Sequence, residues 1–192
     1  MKYHGGKVQS GKRIAAIINK ILNNNPDFGY FEPFCGMCSV ATHVRAICTD
    51  RHKWISLRDG WLPPIKDFDE ETYDRLRASP TSSACQGFFG HALSFGGIYF
   101  QQFRPEMMER LPRYVKDIQR IAKPLKNSIF IDSDYHKHVN FSQFVVFCDP
   151  PYEKRNQYYD ETGKRRTFNS CVFWEWCLKT CRNNNIVVVV EN

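Results

Sequence analysis

The chain has 192 residues and a formal net charge of +7, which suits one domain, with room for an inserted lobe, and favours a polyanionic partner. Hydrophobic residues make up 42% and aromatics 15%, enough for a sizeable core, so a mainly disordered chain is excluded. No apolar run reaches about 18 residues, so a transmembrane helix is not expected, and the opening Met1-Lys2-Tyr3-His4-Gly5-Gly6-Lys7 lacks the apolar stretch of a secretory signal.

The first fifty residues read as helix, strand, turn, helix, strand. Ile14 to Ile18 with Ile21 and Leu22 gives a broad helical apolar face, ended by Asn23-Asn24-Asn25-Pro26. Phe28 to Phe31 reads as a short buried strand. Ser39 to Ile47 suggests a helix, and Ala46 to Thr49 a second strand ending at Asp50. The middle of the chain, 58–127, differs. It holds an acidic stretch from Asp67 to Asp74, glycines set among aromatics (Gln86 to Gly90, Ser94 to Phe100) and an amphipathic helix over 105–122. Glycine beside aromatics points to an irregular binding lobe. The last third returns to regular elements. Ser128 to Ile131 and Phe144 to Phe147 read as strands, 153–167 as an exposed loop, Cys171 to Cys181 as a helix and Ile186 to Val190 as the clearest strand. Strands alternating with helices imply an α/β fold with a mostly parallel sheet. Two segments, 1–57 and 128–192, then form one domain around the inserted lobe.

Three constellations bear on chemistry. Phe31-Glu32-Pro33-Phe34-Cys35-Gly36 sits where a strand gives way to a helix, the place where such sheets bind cofactors. Glu32 can accept from an ammonium group, Gly36 lets backbone approach a ligand, and Asp50, at the end of the second strand, is spaced to accept the hydroxyls of a ribose. Asp149-Pro150-Pro151-Tyr152 follows an apolar strand. Its prolines remove two N–H donors, leaving the Asp149 carboxylate and the Pro150 carbonyl as acceptors for both protons of an exocyclic amine, while Tyr152 offers a face for the attached ring. Lys2 to Lys7, with its glycine pair, either closes over an anionic group or is a frayed terminus. The eight cysteines are expected to be free thiols in a reducing, cytoplasmic setting. A zinc site from Cys35, Cys38, Cys177 and Cys181 is the alternative they allow.

The order Lys-Tyr-x-Gly-Gly-Lys, Glu-Pro-Phe-x-Gly and Asp-Pro-Pro-Tyr, running from residue 2 to the last strand, resembles the Dam-like adenine-specific DNA methyltransferases, phage-type members among them. The resemblance implies a Rossmann-like methyltransferase sheet with an inserted DNA-recognition lobe. It also implies transfer of a methyl group from S-adenosylmethionine to the exocyclic amine of a flipped-out adenine in double-stranded DNA. By the same likeness Tyr3, Lys7, Glu32, Phe34, Gly36 and Asp50 contact the cofactor, with Asp134 and Tyr135 near its adenine. Asp149, Pro150, Pro151 and Tyr152 form the catalytic corner, and Asp149 also reaches the cofactor. Arg104, Arg110 and Arg113 in the lobe, with Lys154, Arg155, Lys164, Arg165 and Arg166 after the corner, are candidates for phosphate contacts.

The chain departs from the family pattern twice. Met37-Cys38 stands where a further glycine is common, and the chain stops at Glu191-Asn192 although family sheets usually continue. The last strand is therefore expected as an apolar edge that pairs with another copy or leaves the protein weakly stable. Loss of activity with retained DNA binding is the alternative this leaves.

Overall fold

The computed structural model describes residues 10–36, 38–44, 60–66, 68–80, 83–126, 128–131, 133–151, 158–159, 165–166 and 168–190. The chain divides into two compact units: Arg51–Lys126 with Met1–Lys7, here the lobe, and Val8–Asp50 with Asn127–Asn192, here the sheet unit. Among the described residues there are five α-helices and a three-stranded parallel sheet, an α/β arrangement. No helix among them is long and apolar enough to cross a membrane.

In the sheet unit, helix α1 (Gly11–Asn24) leads into β1 (Gly29–Phe31). The strand β2 (Phe144–Cys148) lies between β1 and a last strand over Ile186–Val189, in parallel register on both sides. Its residues Val145 to Cys148 are all buried, as a central parallel strand requires. Alternate side chains face opposite ways. Val146 and Cys148 join Phe31 against Phe173, Trp176 and Cys177 of a long helix, Ser170–Arg182. Val145 and Phe147 are left for the other face, where α1 packs on β2. The Asn169 side chain caps the Ser170–Arg182 helix by accepting from the Val172 N–H at 3.1 Å. Buried Asn185 then ties three segments together. Its amide donates to the Phe141 and Thr180 carbonyls at 2.8 and 2.9 Å, and its oxygen accepts from the Phe144 N–H at 3.0 Å.

The lobe is built on aromatic packing. Helices α2 (Glu70–Ala78) and α3 (Ala84–Ala92) are capped by Asp69 and Ser83. Phe68 stacks on Phe89 at 3.8 Å between centroids, and Tyr73 meets Phe100 and Phe103 at 5.0 Å each. The Tyr73 hydroxyl bonds the Ser94 hydroxyl at 2.5 Å, and Ser94 donates to the Gly90 carbonyl at 2.6 Å. Gly90 itself permits this packing. A Cβ there would lie 2.7 Å from the Tyr99 ring and 2.8 Å from that of Phe100. Buried Gln86 donates to the Leu76 and Ser79 carbonyls, fastening the end of α2 to α3.

Several expected elements differ. Within Ser39 to Ile47, the described part forms only a 3-10 turn over Ala41–His43. Val40 brings no capping side chain, and Val44 is already extended. The helix expected over 105–122 is split. Pro105–Arg110 is 3-10 and the α-helix α4 runs over Leu111–Ala122, because Pro112 fits only a first turn. Residues 128–131 form no strand. Ile129 and Ile131 point outward, 56% and 39% exposed, and no described strand pairs with them. The loop expected over 153–167 contains a small antiparallel ladder, β3 (Tyr158–Tyr159) with β4 (Arg165–Arg166). The irregular lobe is in part helical, through α2, α3 and α4. The last strand takes the label β5 and the Ser170–Arg182 helix α5.

Candidate active site

Parallel register decides what meets at one edge of the sheet. Tyr30 lies opposite Val145 and Phe31 opposite Val146, so β1 and β2 end side by side. Glu32 to Gly36 leave one strand where Asp149-Pro150-Pro151 leave the other. Beyond β1 the chain turns tightly. Gly36 (φ 46°) and Cys38 (φ 51°) are both in the left-handed region, and the Cys38 N–H bonds the Cys35 carbonyl at 2.6 Å. Glycine suits that backbone at position 36. Cys38 holds it with a fully buried side chain.

Glu32 is the buried acid of this edge, 2% exposed. The Tyr30 hydroxyl donates to its Oε2 at 2.7 Å, and the Ala41 N–H also donates to the carboxylate. Burial holds the carboxyl well above the usual range, helped by Cys35 and, more weakly, by the charge of Asp149, and only partly offset by the two donors. Tyr30 is the partner that motif reading misses. Residues two apart in a strand share a face, and that spacing is the available signal.

Other candidate residues gather beside this edge. Phe34 and Tyr135 lie 5.0 Å apart between ring centroids, in a cluster with Phe168, Phe173 and Trp176. Both rings are thereby committed in part to packing. Asp134 is exposed and pairs with His136 at 3.2 Å. Pro150 is buried and Pro151 half-buried, while Asp149 keeps partial exposure. Behind the corner the Cys148 thiol donates to Cys177. Burial pushes Cys148 well up, and the donated bond draws Cys177 down.

Tyr3, Lys7, Asp50, Tyr152, Lys154, Arg155 and Lys164 lie outside the described residues. Arg165 and Arg166 are described only as strand backbone. In the lobe, Arg113 is exposed on α4, whereas Arg104 and Arg110 line one cleft with His91, Phe95 and Tyr114. As for zinc, Cys35, Cys38 and Cys177 are buried and Cys181 is exposed. Among the described residues no group of three or more His, Cys, Asp or Glu is placed to hold a metal ion.

The edge thus offers the partly exposed Asp149 carboxyl, a left-handed glycine turn, an aromatic wall and a proline corner without N–H donors. Such a set accepts protons from cationic or amine groups and packs flat rings. No protein-family model matches the chain, and no curated protein matches it significantly.

Proposed function

We propose that the chain is an adenine-specific DNA methyltransferase using S-adenosylmethionine, with a Rossmann-like sheet. One observation carries the reading: the Glu32–Gly36 turn and the Asp149–Pro151 corner end adjacent parallel strands on the same edge. That is where open α/β sheets bind ligands.

The residues of the edge fit the cofactor by their chemistry. Asp149 supplies carboxyl oxygens for its ammonium group, buried Glu32 braces the turn from inside through Tyr30 and Ala41, and Gly36 removes a side chain from the approach. The Phe34 and Tyr135 rings offer faces to its purine and sulfonium. When bound, the cofactor supplies an electrophilic methyl group. The chain's own residues do the rest. The Asp149 carboxylate and the Pro150 carbonyl accept the two amine protons of the target base, so its nitrogen lone pair is aimed rather than delocalised. Pro150 and Pro151 stiffen the corner and bring no competing N–H donor. Tyr152 stacks on the base and offsets part of the few kcal/mol that flipping costs.

The test is transfer of a labelled methyl group from S-adenosylmethionine to duplex DNA, alongside calorimetric titration of the cofactor. Asp149→Ala is expected to abolish transfer. Failure of the parent chain both to bind cofactor and to label DNA overturns the proposal.

A further inference from the structure

The cleft of the lobe has a volume of about 250 Å³. That is below the ~300–1,000 Å³ of pockets for drug-sized ligands, so it admits one planar ring system. Its rim is fixed by backbone. The Ser94↔Phe103 bridge closes the loop, the Phe95 N–H bonds the Gln102 carbonyl at 2.9 Å, and the His91 ring is 2.9 Å from the Gly97 carbonyl. Gly96 turns there at φ 64°, and a Cβ on it would touch the Ile98 side chain at 3.9 Å.

Two features of the lining select a ligand. Phe95 is 52% exposed, and the Arg104 guanidinium lies over it at 5.2 Å from the centroid. This layered pair extends naturally to a third flat ring. The lining carries two cations, Arg104 and Arg110, and no acidic residue, with Glu106 ion-paired to Arg104 beside it. Arg104 Nε pairs with Glu106 Oε1 at 2.7 Å, so a phosphate competes with this carboxylate for the guanidinium or shares it. Arg110 makes no ion pair among the described residues.

We infer that this cleft seats one unstacked nucleotide, its base against Phe95 and its phosphate on Arg104 and Arg110. The ligand class is single-stranded DNA or a free nucleotide. Duplex DNA keeps its bases stacked and is excluded. The inference stands apart from methyl transfer, which is read by a different assay.

The test is fluorescence anisotropy of the full chain with labelled octathymidylate, with thymidine 5′-monophosphate and unlabelled octamer as competitors. Octathymidylate is expected to bind with a log-log salt slope of about −0.7, from the one phosphate held by the two arginines. Phe95→Ala weakens binding at least fivefold with the slope kept, and Phe95→Trp restores it. The double variant Arg104→Ala/Arg110→Ala flattens the slope towards zero. Competition by the mononucleotide marks a nucleotide site, and competition by unlabelled octamer alone marks a strand site. Equal binding by parent and Phe95→Ala, or a slope unchanged in the double variant, overturns the inference. Cofactor titration of the same variants separates this result from the methyl-transfer proposal, since all three substituted residues belong to the lobe and none to the sheet unit.

Discussion

Replacing Tyr30 by phenylalanine isolates one hydrogen bond in a buried setting. Tyr30 is 1% exposed and Glu32 2%, so the ring continues to fill its place and water cannot replace the lost donor. What disappears is the 2.7 Å bond from the hydroxyl to Glu32 Oε2. Removing one donor from a buried acceptor costs about 1–3 kcal/mol. At about 2–4 °C per kcal/mol for a chain of this size, a mid-range loss of about 2 kcal/mol lowers Tm by about 4–8 °C. The pH dependence has a definite sign. Glu32 is held above its ordinary value by burial first, so its favourable contribution is complete below that value and is lost as pH rises through the raised one. The tyrosine hydroxyl opposes this, because it favours the charged form. Without it the carboxyl rises further, and the variant goes on losing stability where the parent has stopped. The gap between the two proteins therefore widens with pH. Urea unfolding at pH 5 and pH 9 reads it. Equal stability at both pH values, or a gap that narrows at pH 9, refutes the burial argument.

Two further substitutions test the packing around the site. Asn185→Ala removes two donated bonds and strands the Phe144 N–H, so it is expected to lower stability by about 2–4 kcal/mol, read as a drop in the urea midpoint at constant slope. Exposed Gln143 sits at φ 61° and takes part through its backbone, accepting from the Gly29 N–H at 2.8 Å. Gln143→Gly is expected to gain about 0.5–1 kcal/mol, left-handed strain of about 1–2 kcal/mol being relieved against a more flexible unfolded chain, and a loss of Tm contradicts it.

Elements with strong periodicity are legible in the residues alone. Ala15 and Ile18 of α1 are buried, although Ile17 of the same expected apolar face is exposed, and the valines of β2 and β5 pair in parallel. The nearness of the Glu32 and Asp149 loops follows from placing two motifs at the ends of parallel strands. Elsewhere backbone geometry has no side-chain signature. Cys38 in the left-handed region, beside a single 3-10 turn, gives no hint in a sequence that reads as helix. The ladder of Tyr158–Tyr159 with Arg165–Arg166 is too short to alternate. The cleft of the lobe is also hidden, although Phe95, Gly96 and two of its arginines stand out singly. Their convergence depends on the Ser94↔Phe103 bridge, which no local pattern encodes.

The sheet has a consequence for biosynthesis. Tyr30 of β1 meets its partner Val145 only about 115 residues later. At about 5–20 residues per second, the first strand waits about 6–23 s for its neighbour to be translated. Contacts this distant in the chain also slow folding itself. Throughout that interval the tyrosine and glutamate of the first strand remain without the shelter that later defines them.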